Sequence, residues 1–346
     1  MCTAAAYQTN DHYFGRNLDY DISYGEEVCI TPRNFPFTFR HTSTINSHYA
    51  IIGIAYVPQL ANTSTGEALD STNSTTNPNE YPLYYDAINE KGLGIAGLNF
   101  VGNATYYQPI DGQDNITQFE LIPWILSQCA TIDEAKVLFS RINLTDTPFN
   151  NQLPVAELHW ILSDTTGACV VVESVSNGLK IHDNPIGILT NNPPFDKQLL
   201  QLSNYQHLSA QDPENKFAPD IKFNTYSRGM GGIGLPGDLS SESRFAKAAF
   251  TKLNSLPTRD DELSSVSQFF HILGSVDQQN GCCDLGDHRY EHTLYTSCYN
   301  LEQGIFYYTT YNNHQISATK LHNADLNATT LTHHPIIETE QVNYLN

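Results

Sequence analysis

A cysteine follows the first methionine in "MCTAAAYQTNDHYFGRNLDYD" (1–21) and opens a strand-like segment. Chain ends are ordinarily frayed and expendable, so a thiol built into a strand at that point suggests chemistry. Loss of Met1, which a small second residue favours, leaves Cys2 with both a thiol and a free α-amine. A thiol titrates near about 8.5 and an α-amine near about 8. One residue then supplies nucleophile and general base with no histidine required. Arg16 and Asp19 lie in the next alternating segment. A two-residue turn at Asn10-Asp11 places Asp19 opposite Cys2, where its carboxylate can orient the amine. The same register sets Arg16 against Ala5 on the other face. A bulge or strand break near Asn17 is then needed to bring its guanidinium to the sulfur. The competing reading makes Cys2 an incidental terminal residue and Arg16–Asp19 a surface ion pair.

The elements that must position these groups are legible in outline. "HYAIIGIAYV" (48–57) has the continuous apolar character of a buried strand. "YYDAINEKGLGIAGLNFV" (84–101) reads as a hairpin turning at Asn89–Gly92. "ITQFELIPWILSQCA" and "TIDEAKVLFSRI" have helical spacing, with Thr131 and Glu134 as a capping box. The strands "ELHWILSD", "ACVVVESV", "LKIHD" and "IGILT" follow, then helices near 194–208, 241–255 and 262–274. "YTSCYNL", "GIFYYTTY" and "QISATKL" close the chain as strands joined by tight turns. Between the first strands, 60–82 is polar, aperiodic and rich in Ser, Thr and Asn, and reads as a long surface loop. Hairpins at both ends with helices between them predict antiparallel sheets covered by helices. No Walker loop, dinucleotide fingerprint, nucleophile elbow or internal repeat interrupts this pattern, and residues 2–346 read as a single domain.

Composition narrows the partners. The 346 residues carry 37 acidic against 17 basic side chains, a formal charge of −20. Such a surface repels nucleic acid and anionic membranes, leaving room for an anionic small molecule where a few arginines converge. No apolar run approaches a membrane span and no secretory leader is evident, so a cytoplasmic location is expected. Seven irregularly spaced cysteines do not form a disulfide framework. Cys282-Cys283, with Asp284, Asp287 and His288 nearby, lacks the spacing of a metal site, and no metal or cofactor is expected. Cys29, Cys129 and Cys169 lie in apolar runs and read as small buried hydrophobes.

"MCT", "YFGRNLD" and "TPRNFP", followed in order by "NEKGLGIAGLNF", "LHWILSD", "GILTNNPPFD", "GLPGDLSSESRF", "LYTSC" and "GIFYYTTYNN", span residues 2 to about 320. The chain thereby resembles the choloylglycine hydrolase family, which contains bile salt hydrolases and penicillin V acylases. The resemblance implies an α+β, four-layer αββα N-terminal nucleophile hydrolase fold, with two antiparallel sheets between helical layers. It also implies hydrolysis of a non-peptide amide through a thioester, conjugated bile acid as substrate, and a homo-oligomer, specifically a homotetramer.

Carried over by position, Cys2 is nucleophile and base, Asp19 orients the amine, and Arg16 sits beside the thiol. Asn191 donates to the oxyanion and Arg244 completes the charged network. Asn99 matches a position that is Asn in bile salt hydrolases and commonly Tyr in penicillin acylases, so the resemblance favours the former, with a penicillin V or other N-acyl amide hydrolase as the alternative. Fixed amide donors such as Asn99 and Asn191 suit a developing oxyanion. Leu18 and Tyr24, next to the catalytic strand, are candidates for steroid contact and equally for core. In "YSRGMGG" (226–232), Arg228 resembles residues of taurine-preferring relatives and can meet a sulfonate; a solvated loop arginine is the competing reading. The 60–82 loop is longer than the family pattern implies, which bears on fine specificity. A silent binding protein on the same fold is the rival class, and the complete set of charged and amide residues counts against it.

Overall fold

The computed structural model describes residues 1–57, 81–151 and 153–346. In chain order its strands and helices are β1 (Cys2–Gln8), β2 (His12–Tyr20), β3 (Glu27–Thr31), β4 (Ile51–Tyr56), β5 (Leu83–Asn89), β6 (Gly94–Asn99), β7 (Asp114–Thr117), α1 (Leu121–Leu126), α2 (Ile132–Phe139) and β8 (Ile142–Thr145). There follow β9 (Leu158–Ser163), β10 (Cys169–Val175), β11 (Gly178–Asp183), β12 (Ile188–Leu189), α3 (Phe195–Gln201), α4 (Ser241–Asn254) and α5 (Glu262–Gly274). The chain closes with β13 (Asp284–Gly286), β14 (Arg289–Tyr290), β15 (His292–Asn300), β16 (Ile305–Thr310), β17 (Asn313–Lys320) and β18 (Thr332–Pro335).

A six-stranded sheet in the order β12-β1-β2-β15-β16-β17 faces an eight-stranded sheet in the order β11-β10-β9-β6-β5-β4-β3-β18. Every pairing within these two sheets is antiparallel. Helices α4 and α5 cover the outer face of the first sheet, and α1 and α2 cover the outer face of the second. This is the four-layer α+β arrangement that the resemblance implies. It explains why β1 and β2 are buried along nearly their whole length. One face of these strands meets the second sheet and the other meets helices, so both faces can be apolar.

Local expectations were met in several places. The Thr131 hydroxyl accepts from Glu134 N–H at 3.3 Å, opening α2. Glu134 reaches back one residue further than a capping box, to Ala130 N–H. The Asn89 turn is pinned by its own side chain, which accepts from Lys91 and Leu93 N–H and donates to Leu126 and Cys129 carbonyls. The segment 116–130 is not helical throughout: its first residues complete β7, and only Leu121–Leu126 form α1. Cys29 and Cys129 are buried, but Cys169 is only half-buried, at the start of β10 where the strand leaves its turn. The 60–82 loop lies outside the described residues except for its last two positions. Among the described residues no helix is long and apolar enough to cross a membrane.

The first hairpin departs from expectation. Gln8 pairs with His12, so Thr9, Asn10 and Asp11 form a three-residue loop, closed by Thr9 N–H donating to Asp11 O at 2.9 Å. A two-residue type I′ turn needs positive φ at both central residues, and neither Asn10 nor Asp11 adopts it. The extra residue shifts the register by one. Cys2 pairs with Leu18, and Arg16 with Ala4.

Candidate active site

That shift decides which charges meet the thiol. Residues directly opposite in a ladder share a face, and a one-residue slip exchanges the faces. Cys2, Ala4, Arg16 and Leu18 therefore all point towards the second sheet, while Thr3, Asn17 and Asp19 point towards the helices. Arg16 reaches the sulfur with no bulge between β1 and β2; its Nη2 donates to Cys2 Sγ. Its Nη1 donates to the carbonyls of Gly97 (2.5 Å) and Tyr85 (3.3 Å) on the second sheet, and its Nε to Asn17 O (3.3 Å). Only 1% of Arg16 is exposed. Burial alone would push its guanidinium pKa down, but negative charge at Cys2, Tyr295, Asp86 and Asp19 holds it up.

Asp19 does not contact the Cys2 nitrogen. Its carboxylate accepts from Thr293 Oγ1 (2.6 Å) and Gln278 Nε2 (3.2 Å), and Arg244 Nη1 lies 3.9 Å away. Burial pushes the Asp19 carboxyl up, opposed by Arg244 and the Thr293 hydroxyl. The group that holds Cys2 N–H is Asn191, whose Oδ1 accepts at 2.8 Å. Arg244 Nη2 donates to the same oxygen at 2.7 Å, while Asn191 Nδ2 donates to Asn99 O at 2.8 Å. Two donors on one side and one acceptor on the other fix the orientation of this amide. Arg244, in the first turn of α4, also donates through Nη1 to Cys2 O and Thr3 Oγ1, both at 2.6 Å. Its burial lowers the guanidinium pKa, with Asp19 and Cys2 opposing.

Met1 continues the hairpin ladder. Asp19 N–H donates to Met1 O at 3.0 Å, and the terminal ammonium donates to Asp19 O at 2.8 Å and pairs with Glu291. A peptide-bonded Cys2 nitrogen has no basic lone pair, so in this form the thiol has no adjacent amine.

In front of the thiol lies a cavity of about 410 Å³, within the range of about 300–1,000 Å³ usual for small-molecule sites. Leu18, Ile22, Leu83, Ile122, Phe119 and Trp160 make its walls largely apolar, and Cys2, Arg16, Glu26 and Gln118 add polar groups to the lining. Tyr24 also lines it, 39% exposed, stacked on Tyr20 at 6.1 Å and tilted against Tyr56 at 6.4 Å. Asn99, at the end of β6, lines the cavity too. Among the described residues its side-chain amide makes no hydrogen bond, so it is free to face a ligand.

Arg228 is exposed and does not line the cavity. It lies in a turn before Gly229, and among the described residues its side chain makes no hydrogen bond to the charge cluster around Cys2. Among the described residues no cluster of His, Cys, Asp and Glu has the composition of a metal site. Sequence reasoning missed Thr293, Gln278, Glu291 and Asp277 around Asp19. These polar residues become neighbours only when β15 and the end of α5 close against β2, and no local pattern announces that.

A family profile for linear amide C–N hydrolases of the choloylglycine hydrolase family matches residues 2–334. The chain is 51% identical over 336 residues to a bile salt hydrolase/transferase of Lactiplantibacillus plantarum, covering 97% of each chain. It is 34% identical to a bile salt hydrolase/transferase of Clostridium perfringens, covering all of both. A solved variant of conjugated bile acid hydrolase from Clostridium perfringens superposes with a TM-score of 0.86 at 33% identity, again over both whole chains. Penicillin V acylase from Agrobacterium tumefaciens shares the fold, with a TM-score of 0.72 at 17% identity over 96% of this chain and 90% of that one. With an N-terminal hairpin that presents cysteine and arginine to an apolar cavity, and with this likeness along its length, the chain belongs to the choloylglycine hydrolase family of linear amide C–N hydrolases.

Proposed function

We propose that this enzyme cleaves the amide bond of glycine- or taurine-conjugated bile acids, with Cys2 as nucleophile after removal of Met1. The observation that carries the reading is the position of Cys2 Sγ beside Arg16, both in the lining of a largely apolar cavity. The 51% identity to a bile salt hydrolase/transferase supports the substrate class. Walls of this character suit a rigid, apolar acyl group, and in this reading its amide carbonyl meets the sulfur.

In the proposed cycle the free α-amine of Cys2 accepts the thiol proton, and sulfur bonds to the carbonyl carbon. Arg16 faces the negative charge on sulfur. Asn99 is the free donor for the oxyanion. Asn191 acts differently from the role its family position suggests: its oxygen holds the amine, aided by Arg244, and its nitrogen anchors the Asn99 backbone. Asp19 acts from behind, through Arg244. Collapse of the tetrahedral intermediate breaks the C–N bond, and the departing amine takes the proton. Water then attacks the thioester, with the α-amine as base, releasing the bile acid and restoring the thiol.

A preference for taurine conjugates rests on the Ser227-Arg228 sequence alone, since Arg228 is solvated as placed. A cytoplasmic location fits seven cysteines that are all unpaired. One buried cluster that runs from Cys2 to Leu321 supports a single domain. The proposed homotetramer is open to native mass measurement. The deciding assay is release of glycine and taurine from conjugated bile salts, run beside release of phenoxyacetate from penicillin V. Faster phenoxyacetate release would replace this reading with that of a penicillin V acylase.

A further inference from the structure

We propose that His159 is a positioning residue for this reaction: its buried ring ties the end of β6, which carries Asn99, to the Thr190–Asn191 segment. The inference rests on the proposed roles of those two asparagines. Strand β12 pairs with β1 only at Leu189 and Ile188, so the ladder stops one residue before Thr190. Beyond that point backbone pairing no longer holds the chain, and side chains must. His159 Nε2 donates to Thr190 O at 2.8 Å, and Nδ1 faces Glu173 Oε1 at 3.1 Å. The ring lies flat on Phe100, with centroids 4.3 Å apart and planes within 7°. Phe100 directly follows Asn99, whose ladder partner is Leu158, the neighbour of His159. One side chain thus touches the chain neighbour of each partner, Thr190 and Phe100, in the contact in which Asn191 Nδ2 donates to Asn99 O.

Packing alone does not account for this residue. His159 is 0% exposed and Glu173 1%, and taking such a pair out of water is costly, so that an apolar pair of similar volume would serve a core as well or better. The directional bonds are what an apolar pair cannot supply. Glu173 is fixed in turn. Its Oε1 also accepts from Phe195 N–H at 2.9 Å, and His182 Nε2 lies 3.5 Å from Oε2. Burial pushes the Glu173 carboxyl up, but its hydrogen bonds to His159, His182 and Phe195 bring it down to about 2, so it remains an anchor for the ring across the working pH range.

The test compares His159→Gln, His159→Asn and His159→Leu on glycine-conjugated cholate. Glutamine can still donate to Thr190 O; asparagine is too short, and leucine has no donor. Expected are kcat losses of about tenfold or more for Leu and Asn, KM within about threefold, and recovery by Gln to within about threefold of the parent. Alkylation of Cys2 by iodoacetamide involves no oxyanion and should change less than about twofold. In an Asn191→Ala background His159→Asn should cost less than about twofold further, because the two act as one unit. Equal losses for Gln and Asn, an undiminished loss in the Asn191→Ala background, or a full kcat for the Asn and Leu variants would each overturn the inference. If Leu fails to fold, the Gln–Asn contrast carries the decision. If the parent does not cleave the conjugate, the bile-salt reading fails by itself, and the same comparison run on penicillin V decides the inference.

Discussion

Asp277 provides a quantitative test of the charge arrangement behind the nucleophile. Its carboxylate follows the C-terminus of α5, where the helix dipole disfavours negative charge, and it accepts from Asn17 Nδ2 at 2.8 Å. Burial, then the nearby charge of Asp19, pushes its pKa from 3.8 to about 6; the Asn17 bond and His314 oppose this without cancelling it. The raised value means that the folded state holds this proton more tightly than the unfolded chain. The associated stability is complete below pH 3.8 and is lost as pH rises through about 6. At about 1.4 kcal/mol per pH unit the loss is about 3 kcal/mol; allowing for partial solvation, about 1–2 kcal/mol is expected. Asp277→Asn keeps the oxygen that Asn17 bonds and removes the charge. Urea unfolding should therefore show the variant more stable than the parent by about 1–2 kcal/mol at pH 7.5, with the gain shrinking markedly at pH 4.5. An equal gain at both pH values, or a loss at pH 7.5, would refute the claim that this carboxylate is strained by burial and by Asp19.

The remaining predictions concern catalysis and acid stability. Intact mass should show one methionine missing from active enzyme; an active protein that keeps Met1 would exclude the amine as base. Cys2→Ser should retain the melting temperature within a few degrees and lose at least about 100-fold in kcat, because a hydroxyl is far harder to deprotonate than a thiol. Asn99→Tyr should reduce bile-salt hydrolysis more than penicillin V hydrolysis, since a ring replaces the free amide donor and fills cavity volume; equal losses would remove Asn99 from substrate choice. Arg228→Gly, measured as the taurine-to-glycine ratio of kcat/KM, should lower that ratio if the guanidinium reaches the leaving group. An unchanged ratio would leave Arg228 as a solvated loop residue. Glu173, held down at about 2, contributes stability present above about 4.5 and lost as pH falls through about 2; acid titration of Glu173→Gln should show this step missing.

The Cys2-Arg16-Asp19 constellation and the order of the main strands and helices were legible in the residues themselves, whereas the short strands β3, β7, β8, β13, β14 and β18 were not. Alternation marks β1 and β2, helical spacing marks α4 and α5, and the chemistry of a thiol next to a free amine needs no neighbour to be recognised. The motif "LHWILSD" was visible as well, but nothing local says that its histidine reaches Thr190, 31 positions away. The same holds for the polar residues around Asp19, drawn in from β15 and the end of α5. The roles within the site depended on one residue of register. A two-residue turn would have set Asp19 against Cys2 and hidden Arg16. The three-residue loop instead sends Arg16 forward to the sulfur and leaves Asp19 behind, with Asn191 holding the nitrogen. Side chains in a strand alternate with period two, so a slip of one exchanges every face. Which slip occurs is set by backbone dihedrals in the turn and by what each face must pack against. Residue types determine which groups are available; only the closed pair of sheets decides which of them touch.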